Sequence, residues 1–423
     1  MDAMPGARYR GTRMIGRREA LFLLAMLPGL AWSADVTRIA SSAEDNHPFG
    51  LFLDVGYSRT QHNAGIARES YAGGTLSETR ELDFVYVDSR LNFDMRIGLW
   101  TDLELHIGLP YVLSQSDAYA LSAGQTPGSS SLTRSCFRPN GDTVNPGCAA
   151  DPSLGDPFVT VPNINFRRGL GNAVFGLAYA PFRQSKDSSK PTWIIAFEWE
   201  TPTASRRNLA AITAAVAPTA VGDKTHRFTF STALSRRYGI VEPYVRVNYT
   251  LAHPGPAFYS NCDRTDLNNL GNPDQCGAIT RAEAGLQPPH LAGFWFGAEL
   301  TPGNASGKGT RFTLDLRGRA TYVSSGRYYN EVSALFQKLM RSGDYVQLDA
   351  SLALVVHITD LFTARARAGY GMQTARFLSA EDMNGAAGVP NPNFDYRLDL
   401  PSQRLRIVDN GLFTTDLSVS LNF

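Results

Sequence analysis

The chain has 423 residues, of which 43% are apolar and 19% charged, and its formal net charge is +1. That balance excludes an intrinsically disordered chain, which combines low hydrophobicity with high net charge, and a polycation built to bind nucleic acid. No flexible or charged linker divides the sequence, so it reads as one domain behind a leader.

Residues 1–33 read as a secretory signal peptide. Arg17 and Arg18 precede an apolar run from Ala20 to Ala31, and Ala31 and Ser33 have the small-residue spacing for cleavage after Ser33. Met14 is an alternative start. The run is shorter than the ~20 apolar residues of a spanning helix, which weighs against a membrane anchor. Residues 34–49 read as a short periplasmic N-terminal segment, too short to fill a lumen.

Beyond it the apolar pattern has period two. The spacing predicts twelve strands, at 50–58, 83–98, 102–113, 169–182, 191–202, 225–237, 241–253, 290–301, 309–323, 345–357, 361–375 and 411–423. Short turns such as "LWTD" and "ITD" follow the even strands. Long polar loops follow the odd ones, at 59–82, 113–168, 203–224, 254–289, 324–344 and 376–410. An even strand count with loops sorted by end is the pattern of a transmembrane antiparallel up-and-down β-barrel, which makes the fold all-β and residues 50–423 the barrel.

The composition of the two faces agrees with a lipid solvent outside. The apolar face carries Tyr57, Tyr111, Tyr179, Trp193, Trp199, Tyr249, Tyr322 and Tyr370, many near strand ends, as an interfacial girdle requires. The polar face holds Arg, Asp, Glu, Gln and Asn with almost no Lys, whereas a water-facing surface would be lysine-rich. Inward parity makes Arg311, Arg317, Arg319, Arg365, Arg367 and Asp349 one pore-lining group, and Asp102, Glu104, Glu198 and Glu200 another. Twelve-strand geometry would set the basic group opposite the acidic one, with a transverse field between them. The alternative is that these charges interlock as salt bridges filling a narrow lumen.

The four cysteines form two local pairs inside Gly/Pro/Asn/Asp-rich segments. In an exported chain Cys136 with Cys148 and Cys262 with Cys276 read as disulfides; a metal site would need thiolates from two distant loops with no C-x-x-C spacing. No metal and no cofactor is expected.

The terminal Phe423 resembles the C-terminal aromatic of bacterial outer-membrane barrels, and that resemblance implies recognition by the outer-membrane insertion machinery. Two further stretches resemble one family. "MRIGLWTDLELHIGLPY" (95–111) is similar to the R-x-G-L-T-D-x-L-E-L-x-x-x-x-P-Y hairpin, and "GLGNAVFGLAYAPF" (169–182) to the G-L-G-D-x-x-x-G-x-K-Y strand, of the outer-membrane transporters named for the phenol-degradation meta pathway (MetA-type). Asn172 stands where Asp is usual and Ala178 where Lys is usual. The resemblance covers about a quarter of the chain. It implies a barrel in the outer membrane of a Gram-negative bacterium that passes small, often aromatic or hydrophobic, solutes, and it brings no catalytic residues.

Two other functions stay open. One is a non-conducting structural or adhesive barrel whose disulfide-stapled external loops bind partners. The other is an outer-membrane hydrolase using His226 or His253 with a nearby hydroxyl, although no acyl-hydrolase elbow is present. The expected partners are outer-membrane lipid, the insertion machinery and a small-molecule solute, with no nucleic acid.

Overall fold

The computed structural model describes residues 33–44, 48–72, 74–126, 130, 165–207, 220–263, 280–302, 310–336, 338–384, 391, 393–395 and 398–423. The wall runs in chain order through β1 (Leu51–Ala72), β2 (Thr75–Trp100), β3 (Leu103–Leu121), β4 (Asn165–Leu170), β5 (Val174–Phe182), β6 (Thr192–Glu200), β7 (Thr225–Ser235), β8 (Val241–Pro254), β9 (Leu291–Leu300) and β10 (Arg311–Val323). It is completed by β13 (Tyr345–His357), β14 (Phe362–Gln373) and β16 (Leu405–Asn422). Apart from β4, each pairs antiparallel with the next, and β16 returns to β1 with Phe52 opposite Asn422, so the sheet closes. β4 and β5 both pair with β3 and share one place in the wall, which gives a twelve-stranded barrel.

Side-chain alternation sets the solvent of each face. On β7, β9 and β10 the residues Phe230, Phe294, Phe296 and Leu316 are exposed outward, while Ser231, Trp295 and Arg317 on the alternate positions line an interior cavity. In water each such outward side chain would forgo ~1.5–3 kcal/mol of burial; hydrocarbon removes that cost. The barrel therefore spans a membrane with its strands, and no described helix is long and apolar enough to do so.

The structure corrects several element boundaries. Residues 59–82 are not a loop: β1 and β2 continue as one hairpin, with Ala72 opposite Thr75 and Gly74 at φ 83 in the turn. At 22 and 26 residues these strands are at least twice the ~9–11 needed to cross a bilayer, so the hairpin projects far beyond it. The expected strand 169–182 is broken at 171–173, where the Gly171 N–H bonds the Pro110 carbonyl at 2.8 Å. Both β3 and β16 also reach further outward than their apolar alternation does.

The apolar core sits at the ends of the barrel rather than around it. The outer end holds β11 (Gly326–Tyr328), a short helix α1 (Ser333–Phe336), β12 (Met340–Ser342) and β15 (Arg376–Phe377). Val332, Leu335, Phe336 and Met340 pack there against Ile66, Leu82 and Phe84 from the inner face of the hairpin and against Leu405 and Ile407 of β16. A smaller cluster of Ile39, Ala180 and Ile194 lies at the opposite end.

Candidate functional site: a lumen closed at both ends

The lower closure is the N-terminal segment. The 34–49 segment is expected from its sequence to be too short to fill a lumen, yet residues 33–42 enter the barrel mouth and bond its wall at several points. A single 3-10 turn, Asp35–Thr37, lets the backbone amides of Ala34 and Asp35 reach two wall carboxylates, Glu242 at 2.6 Å and Glu299 at 2.7 Å. Thr37 Oγ1 shares a hydrogen bond of 2.6 Å with Ser235, and the Ala40 N–H donates to Glu104 at 2.5 Å. The Arg38 guanidinium stacks 3.9 Å from the Phe52 ring. The chain then leaves past Gly50 and Gly98. A methyl at Gly98 would stand 2.6 Å from Ser42 Oγ and 2.8 Å from the Ser41 backbone, so only glycine fits this crossing.

Asp35 determines what the expected pore residues do. Its carboxylate accepts from Arg365 at 2.6 Å and lies 3.9 Å from Arg317. Arg317 also bonds Asp315 at 3.1 Å and the Tyr244 hydroxyl at 3.0 Å; Arg367 reaches Asp315 at 3.3 Å and Arg319 reaches Asp349 at 2.9 Å. On the other side Glu198 lies 3.3 Å from His106, and Glu200 accepts from Arg227 and from Asn172, each at 2.8 Å. Arg311 lines a small recess with Asp35, Glu299 and His357. Glu104 and Glu198 share the lining of one cavity with Arg317 and Arg365. The charges of the two walls pair locally, and Asp35 supplies an acid the strand pattern left out, because an unpaired charge in a narrow interior is costly. Asp102 is a turn residue with φ 59, held by Arg183 and Lys186 at 2.7 Å each.

Between the closures lie three adjoining cavities. The lowest, about 360 Å³, is lined by Asp94, His106, Glu198, Arg246, Trp295 and Arg317 among others. Trp295 was not singled out by sequence, yet the guanidiniums of Arg246, Arg317 and Arg319 lie 4.9, 5.4 and 5.9 Å from its ring. A middle cavity of about 460 Å³ shares Asn92 and Asp94 with the lowest; it shares Arg90, Gln115, Arg207 and Arg227 with a third of about 410 Å³.

That upper cavity differs in chemistry. Phe84, Tyr86, Tyr259, Tyr328, Tyr329 and Tyr345 line it together with Arg90, Arg207 and Arg376. The Tyr329 ring has Arg207 at 4.3 Å and Arg167 at 4.7 Å, and its hydroxyl donates to Asp117 at 3.1 Å. Burial, with Asp117 adding its charge, pushes the Tyr329 phenol above its ordinary range, so it stays a neutral donor. Rings that bury area beside guanidiniums suit a planar solute with an acidic or hydroxyl group.

The upper closure is the loop carrying α1. Asn330 donates to the Leu378 carbonyl at 2.8 Å and Tyr119 donates to the Glu331 carbonyl at 2.7 Å, while Glu331 pairs with Arg376. Beside it a buried Arg327–Glu381 pair holds β11 to the 376–384 stretch, with Nη2 at 2.7 Å from Oε2.

Among the described residues no group of three His, Cys, Asp or Glu is placed to hold a metal ion. Cys262 is disulfide-bonded; Cys136, Cys148 and Cys276 lie outside the described residues, as do residues 1–32 of the expected 1–33 signal peptide. His226 receives the Trp199 indole N–H at 3.2 Å and His253 shares a hydrogen bond with the Pro254 carbonyl at 2.8 Å; among the described residues neither bonds a hydroxyl. Phe423 is exposed at the lower rim, where its backbone N–H bonds Leu51.

No family model and no curated protein matches the chain. Solved structures with a similar barrel include an outer-membrane channel from Pseudomonas putida F1, at 11% identity and TM-score 0.43, covering 91% of this chain and 100% of that one. The translocator domain of the autotransporter NalP from Neisseria meningitidis is 9% identical with TM-score 0.40, covering 90% of each chain. The TodX monoaromatic hydrocarbon channel is 11% identical with TM-score 0.33, covering 93% of this chain and 99% of that one.

Proposed function

We propose that the chain is an outer-membrane channel of a Gram-negative bacterium, of the MetA-type family, and that it passes small solutes with an aromatic body and a polar or anionic group. The observation that carries this reading is the run of adjoining cavities inside the barrel, from the tyrosine- and arginine-lined chamber beneath α1 down to the Asn92–Asp94 wall. A barrel that served only as a scaffold could fill its lumen with side chains. This one leaves space and bounds it with two chain segments that belong to no strand of the wall. Arg317, Arg319, Arg365, Arg367, Glu198 and Glu200 would line the passage once Asp35 withdraws. The surrounding lipid and the insertion machinery, reading Phe423, are the other partners in this reading.

The test is uptake by a deletion strain, and flux into proteoliposomes, with benzoate, toluene and a neutral sugar offered in parallel. Preferential passage of the aromatic acid or hydrocarbon is expected. Equal passage of all three would leave a general pore, and passage of none would remove the channel reading.

A second reading, an adhesive barrel, is favoured by the projecting hairpin, whose tip exposes Tyr71 and Leu76. In that case loops closed by Cys136–Cys148 and Cys262–Cys276 disulfides would complete the binding surface. Loss of surface binding without loss of flux on replacing 69–80 by a short turn would support it.

A further inference from the structure

We infer that hydrolysis of the Ser33–Ala34 peptide bond creates the last member of the lower closure, the α-ammonium of Ala34 seated between Glu242 and Glu299. The inference goes beyond the channel reading and does not depend on whether a solute passes. Glu242 on β8 and Glu299 on β9 are direct cross-strand partners, and both are buried inside the barrel, at 2% and 8% exposure. Like charges directly opposite on one sheet face destabilise the pair, and a buried carboxylate needs a cation. Glu242 has one, Arg237 Nε at 3.0 Å; among the described residues Glu299 has none within ion-pair distance.

The two acids converge on the start of the segment. Ala34 is wholly buried, with its nitrogen 2.6 Å from Glu242, and the next amide, Asp35, is 2.7 Å from Glu299. Glu104 holds the Ala40 N–H similarly but faces Gly98 and Ala178, with no second acid opposite it. Independently, Ala31 and Ser33 place the leader-cleavage position at this bond. In the hydrolysis, catalysed by a signal peptidase, water gives its hydroxyl to the Ser33 carbonyl carbon and a proton to the Ala34 nitrogen. The leader leaves as a carboxylate, and a further solvent proton makes the amine an ammonium. An uncharged donor of one hydrogen bond becomes a cation with three, and Glu242, Glu299, Arg237 and the ammonium sum to zero charge. Because the bond lies inside the closed barrel, cleavage precedes seating of the segment.

The experiment uses the full-length protein purified from outer membranes. Mass spectrometry is expected to give an N-terminal peptide beginning at Ala34; any other start overturns the inference. The folded protein is then exposed to an amine-acylating reagent. The Ala34 amine is expected to react at least tenfold more slowly than the exposed Lys190 in the folded barrel, and faster than Lys190 after unfolding, because an α-amine is the less basic of the two. Comparable rates in the folded barrel overturn the seat. In Glu242→Gln/Glu299→Gln the Ala34 rate should rise at least tenfold with Lys190 unchanged, and an unchanged rate overturns the role of the acids. If that variant does not fold, the wild-type rates alone decide.

Discussion

Asp35 and Arg365, 330 residues apart in sequence, meet at 2.6 Å inside the barrel, so an acid from the start of the chain neutralises a base two strands from its end. The pair joins the N-terminal segment to the wall. Asp35→Asn is expected to loosen the segment, seen as more frequent or larger openings in planar-bilayer recordings. In a double-mutant cycle with Arg365→Gln the two should couple by about 0.5–3 kcal/mol in detergent unfolding. Additive effects and unchanged conductance would show that the segment is held by its backbone bonds alone.

The α1 cap should yield separately from the barrel. Phe336 is buried among Ile66, Leu82, Phe84 and Ile407, so Phe336→Ala removes about 3–5 kcal/mol from a local apolar core that no membrane strand needs in order to pair. Hydrogen exchange over 326–342 should accelerate strongly while the amides of β7–β10 keep their protection. Uniform acceleration throughout the barrel would mean that the cap and wall are one cooperative unit.

The cap also carries a pH dependence. Burial pushes the Asp399 carboxyl up to about 6 from 3.8, against the opposing pull of Lys338 and of the Asp395 and Glu381 amides. The folded cap thus holds a proton that the unfolded loop has lost between these values. Its contribution is full below the unfolded value and is lost as pH rises through about 6. Exchange protection of 376–384, corrected for intrinsic rates, should be greater at pH 4.5 than at pH 7.5, and Asp399→Asn should flatten the profile. A wild-type profile that is already flat would assign the proton elsewhere.

Neighbouring residues on β7 separate the two faces. Phe230 is 51% exposed on the outer face, so Phe230→Arg should cost about 2–4 kcal/mol of stability in lipid bilayers. Ser231 accepts from Arg246 at 3.2 Å inside, so Ser231→Arg should leave insertion largely intact and instead reduce conductance. Equal stability losses measured by reversible urea unfolding would contradict the assigned parity.

Sequence parity was most informative where each strand meets lipid on one face and the lumen on the other. Phe312, Leu316 and Tyr322 against Arg311, Arg317 and Arg319 already show β10 in full. It failed where that contrast ends. Above the membrane both faces of "RTQHNAGIARESYAGGTLSETRELD" meet water or loop, so alternation fades although the backbone still pairs; the Gly73–Gly74 dipeptide was the surviving signal for a tight hairpin. The partner of Arg365 was illegible for another reason. Asp35 belongs to no strand, and nothing local in "ADVTRIASS" states that it turns inward rather than hanging free. Likewise the upper chamber draws Tyr86, Tyr259, Tyr329 and Tyr345 from four separate stretches, which only the closed fold assembles.

The segment that fills the lower lumen is continuous with β1 through the short stretch past Gly50, which places it in the regime of tethered ligands. Its effective concentration at its own seat is of the order of millimolar whatever the amount of protein in the membrane. Opening and reclosing are therefore first-order events, independent of dilution. A free peptide of the sequence ADVTRIASS, entering at the lower rim, would have to reach about millimolar levels before it held the seat against the chain's own copy.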